Sequence, residues 1–310
     1  EIPKPDYHLE AGSGSHAVQT SRIMVAFEKA CEEEKPDLVM VVGDVNSTLA
    51  CSVVAKKACI KVAHVEAGLR SFDLAMPEEI NRMVTDAIAD YFFVTEESGV
   101  ANLLHEGKPQ SSIHFVGHVM IDNLLHQVSK LESENVAAYP VSRLKPAKKS
   151  YAFMTLHRPS NVDDRDTFLG ITAALNEIAD ETPILFPMHP RTKKMVERFG
   201  IILSSQIMAL PPLGFMESLL LWKDAKVVLT DSGGLQEETT ALGVPCVTIR
   251  DNTERPITVE LGTNSLAGTT REGIMAAFQQ CLTKAKTAVV PPLWDGKASE
   301  RIWEVLRRGC

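Results

Sequence analysis

The chain has 310 residues, with 32 Lys and Arg against 40 Asp and Glu, a net charge of −8. Hydrophobic residues at 45% supply enough apolar surface for folding to offset chain entropy, so wholesale disorder is excluded. The absence of basic excess argues against a general nucleic-acid binder, and no apolar run approaches the ~18 residues that span a bilayer. At the usual ~100–200 residues per domain, two domains are expected, and no signal peptide is expected. Cys31, Cys51, Cys59, Cys246, Cys281 and Cys310 form no C-x-x-C pair, and none sits at metal spacing from a histidine. Cys51 and Cys59 lie in apolar sequence, as buried free thiols do. The cysteine pattern therefore fits a reducing compartment, the cytoplasm.

In chain order, residues 37–42 predict a buried strand, ended by Gly43. The cluster Gly43-Asp44-Val45-Asn46-Ser47-Thr48 places Asp44 at a carboxyl end, though a helix cap is the plainer use of it. Residues 61–65 predict a second strand, and Glu66 follows it in His64-Val65-Glu66-Ala67-Gly68-Leu69-Arg70. Pro77-Glu78-Glu79-Ile80-Asn81-Arg82 then starts a helix, where acids also suit the helix dipole. Ile80, Met83, Val84, Ala87 and Ile88 follow its 3.6-residue period. Strands at 91–94 and 113–116 come next. Three acids, Asp44, Glu66 and Glu78, thus stand near consecutive strand ends.

The polar segment 130–149 predicts an interdomain linker. Beyond it, strands are expected at 151–155, 183–188, 225–230 and 245–249, with Phe168, Ile171, Leu175 and Ile178 marking a helix. Most of these strands are continuously apolar, the mark of parallel strands covered on both faces. His157 and Arg158 follow the first of them, where an Arg–His pair suits a diphosphate. His189 is similarly placed after the second. Both histidines also have a bland reading, as buried residues satisfied by hydrogen bonds. Asp163, Asp164 and Asp166 read as a solvated helix start.

The strongest local signal is Asp231-Ser232-Gly233-Gly234-Leu235-Gln236-Glu237-Glu238 after a strand. Two glycines at a helix start let backbone N–H groups approach an anion, which the dipole favours. Phosphate is the natural ligand, and Glu238 would accept ribose hydroxyls. Ser232 as an ordinary N-cap is the alternative. The loop Arg250-Asp251-Asn252-Thr253-Glu254-Arg255-Pro256 also follows a strand, and its charge suggests a ligand loop. Neither H-E-x-x-H nor D-x-D occurs, so no catalytic metal is expected.

These residues, taken together, resemble one family. G-D-x-x-S-T, H-V-E-A-G-L-R, P-E-E-I-N-R, T-x-H-R-P-x-N, D-S-G-G-L-Q-E-E and R-x-N-T-E-R-P occur in order and resemble the non-hydrolysing UDP-N-acetylglucosamine 2-epimerases. The resemblance runs from about residue 10 to the last helix. It implies an α/β fold of two doubly wound, Rossmann-like domains facing across a cleft, glycosyltransferase-B-like. The domains are expected at 1–140 and 146–296, with helix 297–310 returning to the first. It also implies a cytoplasmic homodimer that needs no cofactor and supplies a surface-polysaccharide precursor.

The implied reaction interconverts UDP-N-acetylglucosamine and UDP-N-acetylmannosamine. The sugar C2–H has no adjacent carbonyl, so elimination of UDP and its re-addition provide the route, with acid/base groups on both faces of C2. By resemblance, Asp44, Glu66 and Glu78 are those groups, Arg82 orients them, and His157 attends the diphosphate. Arg158, His189, Ser232, Gly233, Gly234, Glu238 and Arg255 would bind substrate. Ser160 stands where many members carry Glu, which sets the local contacts there apart. Family chains begin with a strand and G-T-R-P-E, absent here, so the first domain is expected to lack its leading strands. A UDP-sugar glycosyltransferase of the same fold, or a catalytically silent UDP-sugar binder, are the rival readings.

Overall fold

A computed structural model describes residues 3–134, 136–284 and 287–309, so Cys310 lies outside the described residues. The α/β class with parallel sheets is borne out: one sheet has four strands and the other six. The chain forms two compact units, residues 1–119 with 297–310, and residues 120–296. The boundary therefore falls near residue 119 rather than at 140. Leu124 and Leu131, on the helix that follows, join the second core and carry that segment with them.

In the first unit, helix α1 (His16–Glu34) precedes β1 (Leu38–Val42), α2 (Asn46–Lys57), β2 (Lys61–Val65), α3 (Pro77–Ile88), β3 (Tyr91–Val94), α4 (Glu97–His105) and β4 (Ile113–Phe115). The sheet order is β1-β2-β3-β4, all parallel. β1 alternates buried and exposed residues, as a strand covered on one face does.

α3 is present as its period predicts, but it faces the other way. Ile80, Met83 and Val84 are exposed, while Glu79, Asn81, Arg82, Thr85 and Asp86 are buried. The polar side is buried because each of those charges finds a partner in the loops it packs against. Cys59 is another correction: it is exposed, in the left-handed region at φ 60°, because it turns the chain out of α2.

The second unit runs α5 (Val119–Ser133), two 3₁₀ turns, β5 (Ala152–Thr155), α6 (Pro159–Val162), α7 (Arg165–Glu181), β6 (Ile184–Pro187) and α8 (Pro190–Phe199). It continues with β7 (Ile207–Leu210), α9 (Phe215–Trp222), β8 (Val227–Thr230), α10 (Gly233–Ala241), β9 (Cys246–Thr248), α11 (Pro256–Glu260), β10 (Asn264–Leu266) and α12 (Arg271–Lys284). Its sheet order is β10-β9-β8-β5-β6-β7. β7 and β10 are strands that the sequence pattern did not reveal: β7 is only four residues long, and β10 is three residues long and partly polar. Ala152, Met154, Val227 and Leu229 enter one core, and Phe153, Leu185 and Val228 the other. Both faces are covered, which explains the continuous apolar runs.

The chain returns to the first unit as α13 (Ala298–Gly309). Ile302 and Leu306 pack on Ala63, Val65, Phe93 and Val116. Each such aliphatic side chain contributes roughly 1.5–3 kcal/mol when fully buried. Tyr91 Oη donates to the Gly309 carbonyl (2.9 Å), and Arg301 Nη1 to the Val116 carbonyl (3.0 Å).

Candidate active site

In the first unit, Val42 of β1 lies opposite Val65 of β2. Asp44 and Glu66, just beyond, therefore leave the sheet at the same carboxyl edge. The Gly43 N–H donates to the Val65 carbonyl (3.0 Å), and His64 Nε2 donates to the Gly43 carbonyl (2.9 Å). Glu66 sits in the left-handed region at φ 70°. A residue with a β-carbon held there costs about 1 kcal/mol or more and persists only where its surroundings over-determine it. Here they do. The Glu66 and Ala67 N–H groups both donate to the Phe93 carbonyl (3.0 and 3.2 Å). Gly68, at φ 79°, packs so closely on Gly99 that an added Cβ would lie 2.4 Å from the Gly99 oxygen.

The polar side of α3 completes this edge. Arg82 is buried; its Nε and Nη2 donate to Glu79 Oε2 (3.0 and 2.6 Å), and its Nη1 donates to Asp44. Glu79 also accepts from the Ser71 and Phe72 N–H groups (both 3.0 Å). Burial pushes the Glu79 pKa up, but the Ser71 bond and Arg82 outweigh it and hold the carboxyl below its usual range. Asn81 Nδ2 donates to the Asp44 carbonyl (2.8 Å), so Asp44 is held through both main chain and side chain. Glu78 is half-buried and makes no hydrogen bond or ion pair among the described residues. The structure thus joins Asp44 to Arg82 and leaves the Glu78 carboxylate open. It gives the buried partner role to Glu79, a residue the motif reading passed over. Its i, i+3 spacing from Arg82 was the available signal.

In the second unit the centre is Asp231, which the sequence reading also passed over. It is 0% exposed. One oxygen accepts from the His157 and Arg158 N–H groups (2.9 and 2.7 Å) and from Asn161 Nδ2 (3.2 Å). The other lies 2.9 Å from His157 Nδ1. Burial alone would raise the Asp231 pKa; His157 and these backbone donors reverse that and hold it below the usual range. The hydrogen bond that His157 donates to Asp231 in turn raises the His157 pKa against partial burial and the Arg158 charge. With the His157 side chain 45% exposed and Nδ1 committed to Asp231, Nε2 is the outward atom.

His157, His189 and Ser232 line one cavity of about 240 Å³, walled on its apolar side by Leu156, Pro212, Leu213 and Leu235. His189 Nδ1 accepts from the Arg191 N–H (3.1 Å), so its Nε2 carries the proton in the neutral ring. The Ser232 hydroxyl makes no capping bond to α10. A larger cavity of about 540 Å³, lined by Met24, Cys31 and Val54, holds none of the motif residues, so volume does not mark the site.

The two glycines at the start of α10 differ in use. A Cβ on Gly233 would lie 2.8 Å from Glu254 Oε1, whereas Gly234 opens to free space. Glu254 is held by Arg250 Nη2 (2.7 Å). Burial pushes its pKa up, but Arg250 and Arg255 outweigh that and hold it at about 2. Arg255 Nε lies 2.6 Å from Glu237 Oε1, so the structure gives it a partner on α10. Arg158 and Ser160 line a separate polar cavity with Arg250 and Asn252. Glu238 is half-buried about one and a half turns along α10 and lines neither cavity.

A family model described as UDP-N-acetylglucosamine 2-epimerase matches residues 1–307. The UDP-N-acetylglucosamine 2-epimerase of Methanocaldococcus jannaschii is 44% identical, over 99% of this chain and 85% of that protein. A crystal structure of a Methanocaldococcus jannaschii UDP-GlcNAc 2-epimerase in complex with UDP-GlcNAc and UDP superposes with TM-score 0.89 at 42% identity, over 99% of this chain and 86% of the other. The UDP-2,3-diacetamido-2,3-dideoxy-D-glucuronate 2-epimerase of Pseudomonas aeruginosa is 39% identical, over 99% of this chain and 85% of that protein.

Proposed function

Because the chain belongs to the UDP-N-acetylglucosamine 2-epimerase family, we propose that it inverts C2 of a UDP-2-acetamido sugar, interconverting UDP-N-acetylglucosamine and UDP-N-acetylmannosamine. The observation that carries this reading is the His157–Asp231 pair beside the Ser232 hydroxyl, at a cavity sized for part of a nucleotide. An imidazolium backed by a buried carboxylate is suited to the charge that grows on a departing diphosphate.

The reaction runs as elimination and return. A carboxylate takes the C2 proton while the C1–O bond to UDP breaks, leaving a 2-acetamidoglycal and UDP. A proton then arrives at the opposite face of C2 as a diphosphate oxygen re-forms the bond to C1. Asp44, Glu66 and Glu78 supply the proton transfers, and Arg82 fixes Asp44. Ser232, with the N–H groups of Gly233 and Gly234, holds phosphate at the start of α10. Glu238 takes the ribose, while Arg158 and His189 face the diphosphate and nucleotide. Arg255 acts by holding Glu237. We further propose a homodimer, to which the exposed apolar Ile80, Met83 and Val84 of α3 lend themselves, acting in the cytoplasm on a surface-polysaccharide precursor. No helix among the described residues is long and apolar enough to cross a membrane.

The test is incubation with UDP-N-acetylglucosamine in deuterated water. Deuterium at C2 in both epimers is the expected outcome. Free N-acetylmannosamine plus UDP would mark a hydrolase, and transfer to an acceptor a glycosyltransferase. Glu66→Gln should retain UDP binding and lose exchange; unchanged turnover would remove Glu66 from the mechanism.

A further inference from the structure

The start of α10 presents a mechanical problem. Its first two residues are glycines, the most flexible backbone there is, yet a phosphate-binding turn must aim its N–H groups. Something has to hold the Ser232–Gly233 peptide. Gln236, one turn along and completely buried, is in place to do so. Its Nε2 donates to the Ser232 carbonyl (3.2 Å). The carbonyl and the Gly233 N–H belong to one rigid peptide plane, so fixing the oxygen fixes the direction of the N–H.

The same carboxamide reaches the other way. Gln236 Oε1 accepts from Thr253 Oγ1 (2.6 Å) and from Asn264 Nδ2 (3.2 Å). Thr253 Oγ1 also accepts from the Arg255 N–H (3.0 Å), which fixes the 250–255 loop. Asn264 is itself rooted in the sheet. Its Oδ1 accepts from Thr248 Oγ1 (2.7 Å), and its Nδ2 donates also to Thr258 Oγ1 (3.2 Å). Thr258 Oγ1 donates to the Arg255 carbonyl (2.7 Å). A single buried amide therefore ties the glycine turn, the loop and strands β9 and β10 into one frame. An apolar side chain of equal volume would fill this space without direction, and would leave the Thr253 hydroxyl and the Asn264 amide short of their buried acceptor.

We propose that Gln236 is a positioning residue that sets the register between the phosphate-binding turn of α10 and the 250–255 loop, with Thr253 and Asn264 as its anchors. The proposal rests on the reading above, in which UDP phosphate sits at this turn.

The test compares Gln236→Met, Thr253→Val and the conservative Thr253→Ser in the full chain. UDP affinity is measured by calorimetry, KM and kcat with UDP-N-acetylglucosamine, and folding by thermal melts. Gln236→Met and Thr253→Val should each raise the UDP Kd and the KM roughly tenfold while kcat stays within about threefold, the split expected when uniform binding is lost. Thr253→Ser should return both to within about twofold, and the double variant Gln236→Met/Thr253→Val should be no weaker than Gln236→Met alone, since the two share one network. If Gln236→Met fails to fold, Thr253→Val carries the test. Folded variants with lowered melting temperature but wild-type Kd and KM would reduce Gln236 to a structural residue and overturn the proposal. A wild-type chain that binds no UDP would overturn the nucleotide reading, and this proposal with it.

Discussion

Asp86 and Asp231 are both buried aspartates paired to a histidine Nδ1, and they differ in what the histidine is left to do. In the first unit, His64 and Asp86 are both 0% exposed. His64 Nδ1 faces Asp86 (2.6 Å) and Nε2 faces the Gly43 carbonyl (2.9 Å), so no ring nitrogen is left over. Asp86 is further held by the Gly68 N–H (3.0 Å) and by Arg70 (2.8 Å). Burial raises its pKa; His64 and Arg70 outweigh that and keep it low. This pair clamps the turn that carries Glu66. In the second unit the aspartate is equally sealed, but the histidine opens onto a cavity with Nε2 outward. Shared chemistry does not make a shared role. Under the proposed function, what separates the two pairs is that only His157 leaves a ring nitrogen facing a place where a ligand fits.

The comparison is open to attack with matched substitutions. The largest effect on turnover is expected from Asp231→Asn. It should lower kcat by roughly 10²–10⁴-fold, as removal of a histidine-orienting carboxylate does, while the protein still folds. Turnover near wild type would dissolve the distinction. Asp86→Asn should do the reverse. Breaking a sealed ion pair should cost about 3–5 kcal/mol in urea unfolding, with kcat of the folded enzyme changing far less.

A pH profile sharpens the contrast. The folded His157 pKa is raised, so its imidazolium persists above 6.5 and the alkaline limb of kcat/KM should lie above that value. The stability the pair contributes is fully present below 6.5 and is lost as pH rises through the raised folded pKa. In Asp231→Asn the limb should move down toward 6.5, readable also by NMR titration of the His157 ring. An unmoved limb would detach His157 from the rate.

Smaller effects follow from contacts. Gly233→Ala pushes a methyl group onto the Glu254 carboxylate, which Arg250 pins. It should weaken UDP binding by about five- to tenfold, the ~1 kcal/mol end of overpacking, with Gly234→Ala milder. Arg191→Ala removes an ion pair with Asp163 that is open to water on both sides. Its cost should stay below about 1 kcal/mol with activity unchanged.

Much of this was legible beforehand. Six of the motif clusters fall at strand ends, where alternating apolar runs and helical periods placed them. The predicted strands between 37 and 249 all formed, and α7 buries the predicted Phe168, Ile171, Leu175 and Ile178. What was missed has a common character. Glu79 and Asp231 stand directly beside residues chosen as functional and Gln236 two residues from them, and each is buried by polar partners that the fold, not the motif, brings to it. Strand β10 escaped because Asn264 and Ser265 are polar, yet Asn264 is buried by the network it anchors.

The amino-acid sequence by itself determined the alternation of strands and helices, the glycine-opened turns and the set of charged residues offered at each strand end. These depend on local periodicity and backbone freedom, which neighbours along the chain settle. Tertiary structure alone decided which side of α3 is buried, which of Glu78 and Glu79 is locked, and which histidine keeps an open nitrogen. Those outcomes turn on whether a charge finds partners across the fold. Burying Arg82, Asp86 or Asp231 costs more than exposing Ile80 or Met83 unless every polar atom is met, and only the packed elements bring the partners within reach.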